Sequence, residues 1–256
     1  PDYFKDVEAV RDLFAEFVGG LPADGVAVLC ADDALASALV TPARRVTYGF
    51  SDRADYRCGD GRPFAIHHGG RELGRVNLRQ PGRHNVQNAT AAAAMALEMG
   101  VSFADVAGAL ARFPGAHRRL EFLGVFQGAA VYDDYAHHPT KVRATLQAVR
   151  ELRQRRLIVV FQPHRYSRLA ALIQDFSRSF TSAERVLVLD VYSAGEDNPT
   201  GIQARDLADL IPNGVYVGSF QRAREALEEL VGPDDVLLLM GAGDIRKLGD
   251  ELAQRI

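Results

Sequence analysis

Short apolar runs alternate with amphipathic stretches along the chain from residue 128 onward. Five such runs occur, at 128–135, 156–163, 185–192, 215–218 and 235–243. Continuous Val, Ile and Leu runs that alternate with helical segments indicate a parallel sheet covered on both faces. The amphipathic stretches predict helices that begin near Thr140, Leu169, Gln203, Phe220 and Ile245. This half of the chain is therefore predicted to be an α/β domain.

The first half of the chain follows a different pattern. Its apolar positions predict, in order, a helix over 8–21, a strand over 25–33, a short helix over 34–40 and a strand over 44–50. Shorter alternating runs between 54 and 79, broken by glycines, favour an antiparallel meander. An alanine-rich helix with Asn85 as its N-cap is predicted to end at Gly100, and another follows from Ser102.

A loop and a domain boundary are predicted at 114–124, the segment PGAHRRLEFLG. Proline, glycine and two adjacent arginines interrupt both patterns there. We expect one domain over 1–118 and a second over 119–256.

Composition narrows the class of protein. The net charge of −3 over 256 residues does not point to nucleic acid or to an anionic membrane as a partner, and no apolar run is long enough to span a bilayer. Cys30 and Cys58 form no CxxC pair, which favours a reduced, cytoplasmic compartment. Because the chain opens without an initiator Met, we expect it to be a piece of a longer protein.

Polar segments follow four of the predicted strands: DDYAHHP, QPHRYSR, DVYSAGE and GAGD. In a parallel sheet, residues just past the carboxyl ends of the strands face the ligand crevice. These segments therefore predict one site at that edge of the sheet.

The first polar segment gathers Asp133, Asp134, Tyr135, His137 and His138. Aspartate and histidine bind divalent metals, act as acids and bases, and contact nucleotide riboses. A structural alternative is that one aspartate caps the following helix while the others are solvated.

The second polar segment places His164, Arg165 and Arg168 between a strand and a helix. A helix N-terminus favours anions, and two arginines three residues apart can project the same way toward a carboxylate or phosphate. The alternative is a helix start in which these arginines pair with a nearby acidic residue.

Two further pairs are candidates for nucleotide contacts. His84 and Asn88 lie four residues apart, so they can flank a planar base or simply cap a helix. Arg118 and Arg119 in the boundary loop can reach phosphates or remain exposed linker residues. GAGDIR does not match the dinucleotide-binding motif GxGxxG, because Arg246 stands where that motif requires glycine. The phosphate-loop motif GxxxxGK[ST] is absent from the sequence.

The ordered motifs GRHNVQNATAA, GAHRRLEFLG, DDYAHHPT, FQPHRYSR and DVYSAGE resemble those of the ATP-dependent Mur ligases of peptidoglycan synthesis. The resemblance is collinear and covers essentially the whole chain. FQPHRYSR favours the branch that joins L-alanine to UDP-N-acetylmuramate over the branch that recycles murein tripeptide.

This resemblance implies a three-domain enzyme with a UDP-sugar domain, a P-loop ATPase domain and a Rossmann-like domain that receives the amino acid. Residues 1–118 would be the latter part of the ATPase domain, and 119–256 the Rossmann-like domain. The UDP-sugar domain, the phosphate loop and most Mg²⁺ ligands would belong to a missing N-terminal part of the same ligase, so we expect the chain alone to be inactive.

The resemblance also implies a reaction and residue roles. The muramyl carboxylate attacks the γ-phosphate of ATP, and the amine of L-alanine then displaces phosphate from the acyl phosphate. Adenine would contact His84, Asn85 and Asn88, whereas the ribose and phosphates would contact Arg118 or Arg119 and Asp134. Tyr135 and His164 would bind substrate, and the catalytic residues would be His137, Arg165 and Arg168.

Two alternatives remain open from the sequence. Beside the ligase, these are a binding module that holds nucleotide or amino acid without turnover, and a metal-dependent hydrolase. The hydrolase would use Asp133, Asp134, His137, His138 and His164 as ligands and catalysts.

Overall fold

The computed structural model describes residues 6–152 and 155–253, and these form two compact units. Unit 1 extends to Pro114, and unit 2 begins at Gly115. The division thus lies a few residues before the predicted boundary after 118. In the part of the chain that the structure describes, no helix is long and apolar enough to cross a membrane.

Unit 1 contains a five-stranded sheet. Its strands are β1 (Val26–Cys30), β2 (Arg44–Gly49), β3 (Tyr56–Cys58), β4 (Phe64–His68) and β5 (Arg71–Val76), adjacent in that order. Its helices are α1 (Val7–Gly19), α2 (Ala34–Ser37), α3 (Arg83–Glu98) and α4 (Phe103–Arg112). The antiparallel meander is confirmed for β3, β4 and β5, while β1, β2 and β3 are parallel.

In unit 1 the structure confirms one predicted helix start and corrects one predicted cap. Ser102 caps α4 by accepting a hydrogen bond from the N–H of Asp105. The predicted N-cap at Asn85 is wrong, because Gly82 with φ 99° is the N-cap of α3 and Asn85 lies in its first turn. The Asn85 amide instead donates to the carbonyl of Pro81 at 2.6 Å.

Unit 2 is built on a six-stranded sheet. Its strands are β6 (Glu121–Phe126), β7 (Ala129–Asp134), β8 (Leu157–Phe161), β9 (Arg185–Leu189), β10 (Gly214–Gly218) and β11 (Val236–Met240), and their spatial order is β10-β9-β8-β11-β7-β6. Its helices are α5 (Pro139–Leu152), α6 (Tyr166–Ser177), α7 (Ala204–Leu210), α8 (Phe220–Leu230) and α9 (Arg246–Leu252). The five predicted strands of the parallel sheet are confirmed as β7 to β11.

The antiparallel strand β6 corrects the prediction of a loop over 114–124. β6 pairs with β7 through a tight turn at Gln127 and Gly128, both with positive φ. Its register shifts between Phe122 and Gly124. This bulge and the preceding arginines hide the alternation that marks a strand.

Two apolar layers cover the sheet of unit 2. One layer joins it to α5, α6 and α7, and the other joins it to α8 and α9. Every residue of β8 and β11 is buried as a result, as expected for a parallel sheet covered on both faces.

Candidate functional site

The chain connections diverge at the carboxyl ends of β7, β11 and β8. The chain leaves β7 and β8 toward the face that carries α5 and α6, whereas it leaves β11, which lies between them, toward the face that carries α9. Ligands bind at such switch points in open parallel sheets. Three of the four predicted polar segments lie at this point, and the fourth follows the neighbouring strand β9.

Asp134 organises the loop after β7. Its carboxylate accepts hydrogen bonds from the backbone N–H groups of Leu120 and Ala136, both at 2.8 Å, and from the Thr145 hydroxyl at 3.2 Å. Burial raises the pKa of Asp134, and the two N–H donors partly offset that effect. The carboxylate thus links Leu120, just before β6, to the loop that follows β7.

Asp133 lies next to it, fully buried, between two arginines. Arg118 Nε lies 3.2 Å and Arg246 Nη1 3.4 Å from its Oδ2. Burial raises the pKa of Asp133, opposed by the two guanidinium charges. Arg118 also donates to the carbonyls of Gly241 and Gly243, at 2.7 and 3.1 Å. Arg118 therefore ties the end of β7 to the turn after β11.

Four aromatic rings form a row along the site. Tyr135 and His137 meet edge to face at 5.2 Å between centroids, His137 and His164 lie 6.0 Å apart, and His164 stacks on Tyr192 at 5.6 Å. The structure therefore brings together the three predicted residues Tyr135, His137 and His164. Tyr192 belongs to the predicted segment DVYSAGE but was not singled out.

His137 has a defined tautomer. Its Nδ1 lies 2.8 Å from the carbonyl oxygen of Tyr135, which can only accept, so Nδ1 carries the proton and Nε2 is the acceptor. Burial lowers the pKa of His137 to about 4. The ring is therefore neutral near pH 7 and presents a lone pair at Nε2.

Gln162 holds the turn that follows β11. Its amide donates to Asp244 Oδ1 at 2.9 Å and accepts from the N–H of Ile245 at 3.1 Å. A Cβ at Gly243 would lie 2.4 Å from Gln162 Oε1 and 2.6 Å from Tyr192 Cγ. Only glycine therefore lets the turn after β11 approach both side chains.

The expectation that Arg165 and Arg168 project the same way assumed that both lie in the first turn of a helix. Arg165 is the N-cap of α6 and lies 3.4 Å from Glu196, whereas Arg168 Nη1 lies 3.2 Å from His164 Nδ1. The positive φ of Arg165, 69°, removes it from the helical spacing on which that expectation depended. Pairing with an acidic neighbour, the structural alternative, is what Arg165 shows.

The remaining predicted residues lie on the surface of their own units. In unit 1, His84 and Asn88 are exposed on the first two turns of α3, and Asn85 is half-buried between them. In unit 2, Arg119 is exposed, and its guanidinium lies 5.7 Å from the ring centroid of Tyr135.

The structure gives other partners to three of the residues that the metal-dependent hydrolase would use as ligands. Within residues 6–152 and 155–253, no group of three or more His, Cys, Asp or Glu side chains is arranged to hold a metal ion. Asp133 is held by arginines, Asp134 accepts backbone N–H groups, and His137 faces a carbonyl. His138 is half-buried, and burial lowers its pKa.

Comparison with known families decides the classification. The model of the Mur ligase middle domain matches residues 1–96, and the model of the Mur ligase glutamate ligase domain matches 118–243. The chain belongs to the Mur ligase family. The first match lies within unit 1, and the second lies within unit 2.

Curated relatives of this Mur ligase chain are longer. The UDP-N-acetylmuramate–L-alanine ligase of Desulfatibacillum aliphaticivorans is 40% identical over 269 aligned residues, which cover 99% of this chain and 59% of that protein. The ligase of the same name from Geobacter sp. (strain M21) is 38% identical and covered to 58%. The chain thus spans less than two thirds of these relatives.

Solved structures share its fold. The UDP-N-acetylmuramate-alanine ligase of Thermotoga maritima has a TM-score of 0.78 and 26% identity, covering 98% of this chain and 55% of that one. A MurF ligase of the same organism, in complex with ADP, has a TM-score of 0.74 at 15% identity, covering 97% and 57%. At that lower identity the likeness concerns the fold alone.

Four residues of the candidate site were not singled out from the sequence: Gln162, Tyr192, Glu196 and Arg246. Tyr192 and Glu196 lie in a segment that was recognised, so their place after a strand was an available signal. Arg246 contacts Glu121 and Asp133, which lie more than 110 residues earlier in the sequence, and no local spacing predicts such a contact.

Proposed function

We propose that this chain is part of an ATP-dependent amide ligase that joins L-alanine to UDP-N-acetylmuramate through an acyl phosphate, in cytoplasmic peptidoglycan synthesis. The observation that carries the proposal is identity of 34–41% along the whole chain to relatives named for that reaction. The grouping of Tyr135, His137, His164 and Arg168 at the switch point supports it.

Unit 2 would receive the amino acid and the acyl phosphate. The attack of an amine on an acyl phosphate passes through a tetrahedral, multiply anionic transition state. Arg165 and Arg168 at the start of α6 would stabilise that charge, because guanidinium forks and a helix N-terminus both favour oxyanions. Tyr135 and His164 would line the same space.

His137 would act through Nε2. The neutral ring with its proton on Nδ1 can accept a hydrogen bond from the incoming ammonium or amine, which orients the nitrogen lone pair. With a pKa of about 4, His137 stays neutral in that role and binds the proton only weakly.

Candidate nucleotide contacts are assigned within each unit separately. In unit 1, the exposed side chains of His84 and Asn88 with Asn85 would contact adenine. In unit 2, Arg119 or Arg118 would contact phosphates and Asp134 the ribose. No acidic cluster in the described residues fits Mg²⁺, so its ligands, like the phosphate loop, would come from the part of the longer ligase outside this chain.

The test measures phosphate release with ATP, Mg²⁺, UDP-N-acetylmuramate and L-alanine. We expect none from this chain alone, because no GxxxxGK[ST] loop occurs in it. Joined to the preceding segment of the Desulfatibacillum aliphaticivorans ligase, it should release phosphate in an alanine-dependent way. Arg165→Ala in that hybrid should lower kcat by about 100-fold or more, the usual cost of one oxyanion donor.

Two outcomes would contradict the proposal. Release by the chain alone would mean that ATP is held without a Walker loop. A hybrid that folds but releases phosphate equally with and without L-alanine would mean that unit 2 does not receive this amino acid, and a binding module would then be the better description.

A further inference from the structure

Glu196 occupies the start of α6. Its Oε1 lies 2.9 Å from the Ser167 hydroxyl and 3.4 Å from Arg165 Nη1, and its Oε2 accepts from the backbone N–H of Ser167 at 3.2 Å. The side chain is 22% exposed. A carboxylate of the chain itself thus lies where the helix N-terminus and Arg165 attract anions.

The backbone around Arg165 fixes this arrangement. Arg165 has φ 69° and ψ 134°, a sparsely populated conformation for a residue with a side chain. Its N–H donates to the carbonyl of Tyr192 at 2.9 Å, and Tyr192 N–H donates back to Pro163 at 2.9 Å. Such conformations persist only where neighbouring contacts impose them, and they cluster at functional sites.

This carboxylate changes which ligand the site prefers. A simple carboxylate that approaches Arg165 meets the negative charge of Glu196, and like charges repel. A free amino acid carries an ammonium and a carboxylate, so it can place its positive end at Glu196 and its negative end at the arginines. The positive charge of Arg165 and the negative charge of Glu196 at the start of α6 therefore complement the two charges of a zwitterion.

We propose that Glu196 sets the charge preference of the amino-acid site, selecting a zwitterionic α-amino acid over an anion of the same shape. The inference deepens the proposed function and rests on its assignment of the amino acid to unit 2. Glu196 acts by contacting the ammonium and by holding Arg165 in place.

The test compares L-alanine with L-lactate, which has a hydroxyl in place of the ammonium. Binding of each to this chain is followed by NMR through the backbone amide of Ser167, for the wild type, Glu196→Gln and Glu196→Asp. We expect the wild type to prefer alanine. Glu196→Gln should reduce that preference by up to about fivefold, the size of one partly exposed ion pair. Glu196→Asp should largely keep it.

The matched control is Glu225→Gln, an equal charge change on an exposed residue of α8, which should leave the preference as in the wild type. If Glu196→Gln weakens both ligands equally or leaves the ratio unchanged, Glu196 is merely structural and the inference is wrong, while the proposed function stands. If the wild type binds no alanine, the amino-acid site of the proposed function fails in this chain and the inference falls with it.

Discussion

In unit 2 every residue of β8 and β11 is buried, whereas β1 in unit 1 buries only alternate residues. Helices cover both faces of the unit 2 sheet. In unit 1 the apolar side chains of Leu13, Phe14 and Phe17 on α1 are 48%, 54% and 70% exposed. The central strands of the unit 2 sheet are thus more completely buried than the edge strand β1 of the unit 1 sheet.

The difference teaches where a catalytic geometry can be held. Side chains at the ends of β7, β8 and β11 start from strands whose positions are fixed by packing on both faces, and sites on such elements are more rigid than sites on loops. The candidate nucleotide residues of unit 1 lie on exposed turns of α3. We therefore expect substitutions in unit 2 to cost more stability than matched substitutions in unit 1.

The largest effect is expected for core leucines. Leu238→Ala in β11, where the side chain is fully buried, should lower the unfolding free energy of unit 2 by about 3–5 kcal/mol. Leu29→Ala in β1, which is 8% exposed in a small cluster, should cost unit 1 about 2 kcal/mol. Hydrogen exchange resolved by segment measures both, and equal costs would contradict the ranking.

A somewhat smaller effect is expected for Arg118→Ala. It leaves the fully buried Asp133 with one of its two arginines, and breaking a buried ion pair on one side costs about 3 kcal/mol. The control is Arg224→Ala, which removes an exposed pair with Glu228 and should cost under about 0.5 kcal/mol. Denaturant unfolding compares the two. A cost for Arg118→Ala as small as that of the control would mean that Asp133 is protonated.

Acid should destabilise unit 2 through His137. Its pKa is about 4 in the folded chain against 6.5 for the unperturbed ring, so between these values the unfolded chain binds more protons and stability falls as pH falls. His137→Gln should remove about 1–2 kcal/mol of that loss, allowing for partial exposure. Thermal unfolding at pH 7 and pH 4 measures it, with exposed His117→Gln as the control. Identical pH profiles for His137→Gln and the wild type would refute the shift.

The smallest effects are expected on α3 of unit 1. Asn85→Ala removes the hydrogen bond to the Pro81 carbonyl and should cost about 1 kcal/mol of stability. Asn88→Ala, at an exposed position, should leave stability unchanged but raise the KM for ATP in the hybrid ligase. Melting curves and ATP titrations separate the two roles. An unchanged KM would make Asn88 a surface residue only.

The order of strands and helices in unit 2 was predictable, because continuous Val, Ile and Leu runs indicate strands that are buried on both faces. β6 was not, since the bulge at Gly124 breaks its alternation. At the site, the sequence predicted which segments lie together but not which side chains form hydrogen bonds or ion pairs with one another. Arg165 pairs with Glu196, and its positive φ places it outside the helix, which its three-residue spacing from Arg168 does not reveal.

The position of β11 between β7 and β8 also bears on how the chain folds during synthesis. β8 is complete when Phe161 has been made, but its neighbour β11 begins about 75 residues later. At roughly 5–20 residues per second, the ribosome needs about 4–15 s to supply it. Throughout that interval the run LIVVF lacks the strand that pairs with one of its edges. A nascent chain of this topology should therefore bind holdase chaperones until Met240 emerges, and should release them soon afterwards.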